Sequence, residues 1–224
     1  MSRERTDYEN ENAMLVLMRH GQASFGAAHY DRLSGLGVAQ ATATGDFFKA
    51  RNACHVEVCI GPRERHRHTA RALLQAWGAT PPKRDVDEID EFADSAQIIA
   101  ATGAMHEGSS DMERMLLGID GWAAGRLVIE SRPSFAEFRA RVGRWLAREL
   151  DVSRHDSPRL VVTSAGVVAA AMCEAMRLPD EAFVPLACQI RNASLTEITT
   201  SRGRAAVVSF NGTGHLANHL LTAI

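Results

Sequence analysis

The stretch Ala13-Met-Leu-Val-Leu-Met18, running straight into Arg19-His-Gly-Gln22, decides the fold. An apolar run with no polar alternation describes a strand covered on both faces, as in a parallel sheet between helical layers. The abrupt change to Arg-His-Gly marks the carboxyl end of that strand, where open α/β sheets bind their ligands. Outward from it the pattern repeats. Ser34-Gly-Leu-Gly37 opens an amphipathic stretch to about Arg51, with Ser34 as N-cap. Val56–Ile60 predicts a second strand, and Arg63 to Trp77 a helix stopped by Pro81-Pro82; a short strand is expected near Arg84–Val86. Pro133-Ser-Phe-Ala-Glu137 is a capping box that launches a helix through about Leu150. Arg159–Thr163 is a strong strand, and Gly166 to Met176 a small-residue helix closed by Pro179. Strands Ala193–Thr199 and Ala205–Phe210 are joined by Ser201-Arg-Gly-Arg204, a hairpin.

Strands alternating with helices imply βαβ units, and the terminal hairpin adds an antiparallel edge. The expected class is α/β, a three-layer α/β/α sandwich with a mostly parallel central sheet. Residues 1–224 read as one domain, with 88–132 as a helical excursion over the active site. Its helical patches, Ser95–Ala101 and Ser110–Leu117, are interrupted by Gly103, Gly108, Gly118, Gly121 and Gly125.

Composition excludes several classes. At 224 residues, 46% hydrophobic, the chain needs no disulfide or metal staple to bury a core. A net charge of −2 opposes a nucleic-acid partner. No apolar run approaches a membrane span, and Met1 to Asn12 is too polar for a secretory signal. Cys54, Cys59, Cys173 and Cys188 show no C-x-x-C pairing, which suggests reduced core thiols. A cytoplasmic protein is expected, without cofactor, membrane or nucleic-acid partner; a homodimer is left open. The charge count hides one oddity: 23 arginines against two lysines. Composition bias covers most of them, but some arginines can clamp phosphate or carboxylate with a planar fork that lysine lacks.

The candidate site follows from the strand ends. Arg19, His20 and Gly21 follow the first strand; Arg63, Arg65 and Arg67 surround a helix start after the second; Ser164, Ala165 and Gly166 follow Thr163 at another. Arginines, a histidine and free helix N-terminal N–H groups on one rim describe an anion pocket. His20 can serve there as nucleophile or acid/base, and Gly21 would let the backbone approach a ligand closely. Other features are weaker. His66 and His68, two apart, cannot share a metal on a helix. His215 and His219 have the spacing of two zinc ligands but lack a third, so a structural role for His215 is favoured. Met112, Met115, Leu116 and Trp122 line either a lid or the core. Asn192 either bonds to a pocket loop or ends a turn.

Leu15-Val-Leu-Met-Arg-His-Gly-Gln22 resembles the signature of the histidine phosphatase superfamily, the phosphoglycerate-mutase-like fold. Asp31-Arg-Leu-Ser-Gly-Leu-Gly-Val-Ala-Gln40 is similar to its D-x-L-[ST]-x-x-G-x-x-Q segment. Gly61-Pro-Arg-Glu-Arg-His-Arg-His-Thr-Ala70 resembles S-P-L-x-R-A-x-x-T-A, which selects Arg65 from the three arginines. Ser209-Phe-Asn-Gly-Thr-Gly-His-Leu216 resembles the closing F-N-x-x-x-H-L. The resemblance implies a phosphatase acting on a small phosphorylated substrate, a phosphate monoester. His20 would take the phosphoryl group, Arg19 and Arg65 would hold its oxygens, and a carboxylic acid would protonate the leaving oxygen. Glu91 is the first candidate for that acid and Glu88 the alternative.

One departure matters. Where the family commonly carries a second histidine, Thr163-Ser-Ala-Gly166 places Ala165. Three accounts are open: a substitution made to trap a complex; phosphate binding by Ser164 and the Ala165 and Gly166 N–H groups instead; or a protein that binds phosphorylated ligands without turnover, as in regulation.

Overall fold

In a computed structural model, residues 14–24, 31–53, 57–103, 109–151, 153, 158–201 and 203–223 are described. Side-chain alternation along strand β1 (Met14–Arg19) sorts them into layers. Leu15 and Leu17 enter one apolar cluster with Cys59 and Val161, whereas Val16 and Met18 enter another with Val58 and Leu160. Each side of the strand is therefore buried, which is why the run shows no polar alternation.

The other strands are β2 (Glu57–Ile60), β3 (Lys83–Asp85), β4 (Arg159–Thr163), β5 (Leu195–Ser201) and β6 (Arg204–Gly212). The sheet order is β3-β2-β4-β1-β5-β6. β1, β2, β3 and β4 pair in parallel; β5 runs antiparallel to β1, and β6 to β5. Helices α1 (Gly35–Ala50) and α2 (Glu64–Trp77) cover one face through Phe48, Leu73 and Trp77. The opposite face carries α3 (Ser95–Thr102), α4 (Asp111–Ala123), α5 (Phe135–Glu149), α6 (Ala165–Met176) and α7 (Phe183–Gln189). This is the expected α/β sandwich, mostly parallel with an antiparallel edge.

Local chemistry explains the boundaries. Ser34 caps α1, its hydroxyl accepting from Gly37 N at 3.0 Å. Ser134 and Glu137 form the expected box, the carboxylate accepting from Ser134 N at 2.8 Å. Pairing of Ser201 with Arg204 closes the β5–β6 hairpin.

One expectation in the excursion needs correction. α4 runs unbroken through Gly118 and Gly121. Gly118 is a contact rather than a stop, because a Cβ there would lie 2.5 Å from Ile98 Cγ2 on α3. The segment after α6 adds a helix for which the sequence analysis has no counterpart, α7; Pro185 stands in its first turn, where proline's missing N–H has no intrahelical partner to lose. Of the two roles left open for Trp122, lid or core, the structure shows the core. It is 2% exposed, stacks on Phe92 with centroids 3.9 Å apart, and meets Phe135, Phe138 and Phe183 edge-on. Its indole N–H donates to Pro133 O at 2.9 Å, so burial leaves no orphan donor.

Chemical denaturation should show this directly. Trp122→Ala is expected to lower the unfolding free energy by about 3–5 kcal/mol. Leu117→Ala, on the exposed face of the same helix, should change it by less than about 0.5 kcal/mol.

Candidate active site

Parallel pairing brings three strand ends to one rim. Arg19 lies opposite Thr163 in the β1–β4 register. The next residue, His20, donates its backbone N–H to Thr163 O at 2.8 Å, and Gly61 N donates to Val162 O at 3.0 Å. Asn192 Nδ2 donates to His20 O at 3.3 Å, while Thr222 donates its hydroxyl to Asn192 Oδ1 at 3.0 Å. Asn192 therefore braces the pocket loop.

His20 is 6% exposed, with Nδ1 2.7 Å from Gly21 O. A carbonyl oxygen only accepts, so Nδ1 carries the proton and Nε2 keeps its lone pair. Burial pushes the His20 pKa well below 6.5, and the charges of Arg65, Arg19 and His66 push the same way, against the Gly21 hydrogen bond. The ring is a neutral imidazole beside two guanidinium groups.

Arg65, 5% exposed, donates from Nη1 to Asp31 Oδ1 at 2.9 Å. Arg19 Nη1 donates to the carbonyls of Ile190 and Ala223. Arg19, His20, Arg65, Glu91, Ala165 and Gly166 line one end of a cavity of about 140 Å³. The structure thus brings these six together, whereas Gly21, Arg63, Arg67, Ser164 and Glu88 do not line the cavity. Glu88 Oε1 accepts from Arg148 Nη2 at 2.8 Å, away from the cavity. Its own backbone N–H, and then the Arg148 ion pair, hold that carboxyl below its ordinary range. Arg67 likewise points outward, 3.7 Å from Asp85.

Two details differ from expectation. The Gly166 N–H, a candidate phosphate donor, donates to Glu91 Oε2 at 3.0 Å, and Phe92 N donates to Glu91 Oε1 at 3.0 Å. The N-terminus of α6 thereby holds a carboxylate, as its dipole favours. Only glycine permits this approach, because a Cβ at 166 would lie 2.2 Å from Glu91 Oε1. Gly21 likewise serves packing rather than ligand approach: a Cβ there would lie 2.4 Å from Gly37 O at the start of α1.

Ser164 is 1% exposed and does not reach the cavity; its hydroxyl lies 2.7 Å from His66 Nε2. His66, fully buried, packs against His20 with ring centroids 5.6 Å apart. Its pKa is also pushed well below 6.5, by burial and then by Arg65 and Arg63. Sequence reading weighed His66 only as a metal ligand, and its place one residue after Arg65 was the available signal.

Arg63 was missed too, because the sequence offered it only as a phosphate clamp. Its side chain is 7% exposed, and Nε donates to Asp90 Oδ1 at 2.5 Å and Nη2 to Glu91 O at 3.0 Å, with Nη1 on Asp94. It holds the segment that carries Glu91. No sequence signal joins positions 63 and 91.

The remaining features resolve simply. His215 Nε2 lies 3.1 Å from both Thr44 Oγ1 and Ala193 O, a bridge between α1 and the loop before β5. His219 is exposed. Among the described residues no group of three or more His, Cys, Asp or Glu is placed to hold a metal ion, and no helix is long and apolar enough to cross a membrane. Met115 and Leu116 line the cavity, whereas Met112 does not. Cys59 and Cys173 are buried, burial pushing the Cys59 thiol up to about 12; Cys188 stands at the cavity instead of in the core. Cys54 and the polar N-terminus fall outside the described residues.

The sequence profile of the histidine phosphatase superfamily, branch 1, matches residues 15–213. Among curated proteins none matches significantly. Among solved structures, phosphoserine phosphatase of Entamoeba histolytica, in complex with 3-phosphoglyceric acid, is 18% identical at a TM-score of 0.67, covering 91% of this chain and 99% of that one. Alpha-ribazole phosphatase of Shigella flexneri is 21% identical (TM-score 0.65; 89% and 96% covered). Phosphoglycerate mutase of Bacillus anthracis is 16% identical (TM-score 0.67; 92% and 96% covered). At these identities the likeness is one of fold.

The buried neutral histidines make stability depend on pH. Unfolded, His20 and His66 titrate near 6.5; folded, well below it. The unfolded chain therefore binds more protons below pH 6.5, so stability is full above that pH and falls as the solution is acidified. The two residues together should contribute a slope approaching ~2.7 kcal/mol per pH unit, with His215 acting in the same sense. Denaturation between pH 7 and 5 measures it, and His66→Gln should roughly halve their joint contribution.

Proposed function

The chain belongs to branch 1 of the histidine phosphatase superfamily, and from that membership we propose that it is a phosphatase hydrolysing a phosphate monoester through a phosphohistidine on His20. The observation that carries this reading is the His20 ring itself. Its proton is held on Nδ1 by Gly21 O at 2.7 Å, leaving the Nε2 lone pair beside Arg19, Arg65 and Glu91 in one cavity.

Each step then has an agent. Nε2 attacks phosphorus as the ester P–O bond breaks, and the Arg19 and Arg65 guanidiniums face the charge spread over the equatorial oxygens. Glu91, in its protonated form, gives its proton to the leaving oxygen. A water then attacks the phosphohistidine and returns a proton to Glu91, and the P–N bond breaks to release phosphate. Arg63 acts on Glu91 through the backbone carbonyl it binds at 3.0 Å, so it is a positioning residue.

A second reading, a phospholigand-binding protein without turnover, rests on one observation. Ala165 supplies no side-chain donor, and the neighbouring Gly166 N–H is taken by Glu91.

Turnover of p-nitrophenyl phosphate separates the readings. The phosphatase should exceed a His20→Ala control, and rapid quench should trap an acid-labile phosphoenzyme; phosphate release without one would exclude the covalent route. Glu91→Gln should slow alkyl phosphates by roughly 10²–10⁴-fold, but p-nitrophenyl phosphate, whose leaving group needs little protonation, by less than about tenfold. Arg63→Met should lower alkyl phosphate turnover about tenfold and act non-additively with Glu91→Gln. Additive effects would detach Arg63 from the acid.

A further inference from the structure

Away from its phosphoryl end the cavity changes character. Its walls there are Phe92, Ile98 of α3, and Met115, Leu116 and Ile119 of α4. Ser95 adds one hydroxyl. Among the described residues, the only side chains lining the cavity that carry or can gain charge, the Cys188 thiol aside, are Arg19, His20, Arg65 and Glu91.

The arginines on surrounding elements are bonded elsewhere. Arg63 is held by Asp90 and Asp94. Arg132 donates to Gln97 Oε1 at 2.9 Å and Asp94 Oδ2 at 3.3 Å. Arg114 donates to Ile99 O at 3.0 Å, and Arg141 to Asp90 O at 2.5 Å. Among the described residues, none of these four lines the cavity.

A carboxylate on the leaving group would therefore lose its water on entering and, among the described residues of this wall, meet no opposite charge in return. Glu91 would in addition repel an anionic arm whenever it is ionised. An alkyl or aryl arm gains by leaving water against these side chains. The size agrees: about 140 Å³ holds a phosphoryl group and a short arm of a few carbons.

We propose, resting on the phosphatase reading, that the substrate class is the phosphate ester of a short uncharged apolar alcohol or phenol, selected by the wall of Phe92, Ile98, Met115, Leu116 and Ile119. Phosphorylated amino acids and phosphorylated carboxylic acids are excluded by the same wall. Discrimination comes from desolvation, because among the described residues this part of the cavity offers an anionic arm one hydroxyl, that of Ser95, and no positive charge.

The experiment has a binding arm and a turnover arm, both on the full chain. Calorimetry compares pentylphosphonate with 4-phosphonobutyrate, which pair the same anionic head with an apolar and a carboxylate arm and cannot be hydrolysed as esters. Kinetics compares butyl phosphate with phosphoserine. Pentylphosphonate should bind at least about tenfold more tightly, and butyl phosphate should show at least about tenfold higher kcat/KM, within the roughly 10- to 200-fold range of apolar-pocket discrimination. Leu116→Arg, at a position 39% exposed and able to take a long side chain, should narrow or invert the binding ratio by giving the carboxylate a partner. Equal binding of the two phosphonates, tighter binding of 4-phosphonobutyrate, no binding of either, or a ratio unmoved by Leu116→Arg would each overturn the assignment. A persistent pentylphosphonate preference without hydrolysis of any ester would uphold the ligand class and overturn the phosphatase reading alone.

Discussion

The parallel hydrogen bonding of β1 to β4 is the constraint on which the site depends. It sets Arg19 opposite Thr163 and lets the His20 N–H close on Thr163 O at 2.8 Å. Both chains leave the sheet at that level, one into the His20 loop and the other into α6. Because β2 pairs with β4 in the same direction, Gly61 and the start of α2 arrive there too. A slip of one residue would move every side chain of β1 to the opposite face. Leu15 and Leu17 would then exchange sides with Val16 and Met18, which fill two different clusters. Core packing on both faces thus sets the register that brings His20 to the rim.

Once the rim is assembled, its charges are held by their neighbours. Arg65 is tethered by Asp31, the Glu91 segment by Arg63, and the Glu91 carboxylate by the N-terminus of α6. Gln40, fully buried, accepts from Gln22 N at 2.8 Å and donates to Leu220 O at 2.7 Å, tying the His20 loop to the 218–220 turn. These bonds fix directions before any ligand arrives, which is the condition for electrostatic stabilisation without reorganisation. They also bear on the surplus of arginine over lysine. Arg63 serves Asp90, Asp94 and Glu91 O from one guanidinium. A lysine ammonium, a single point of charge, cannot span the three.

The legibility of the site varied with the range of the interaction. Arg19, His20 and Arg65 were readable because each lies within a few residues of a strand end, and strand ends converge in a parallel sheet. Asp31 and Gln40 belonged to a segment recognised by resemblance, and the structure supplies their reasons, an ion pair to Arg65 and the brace to Leu220; Ser34 caps α1 as its local pattern indicates. Glu91 was the first candidate and Glu88 the alternative, standing three residues apart in an acidic run. Folding separates them because the turn at Asp87–Ile89 sends Glu88 toward Arg148 and Glu91 toward Gly166. Arg63 and His66 escaped because their partners lie 27 and 98 residues away.

The sequence by itself determined the layered α/β architecture, the mostly parallel sheet and the rim on which Arg19, His20 and Arg65 meet. Apolar periodicity and helix caps are local, and parallel topology then leaves little freedom in where strand ends go. Only the tertiary structure decided that Gly166 N–H serves Glu91, that His66 packs against His20 and that Trp122 is core. It alone decided that the far end of the cavity is apolar. Each of these depends on which distant side chains share a few ångströms of buried space, and that is settled by packing across the sheet and the 95–123 helices rather than by any local pattern.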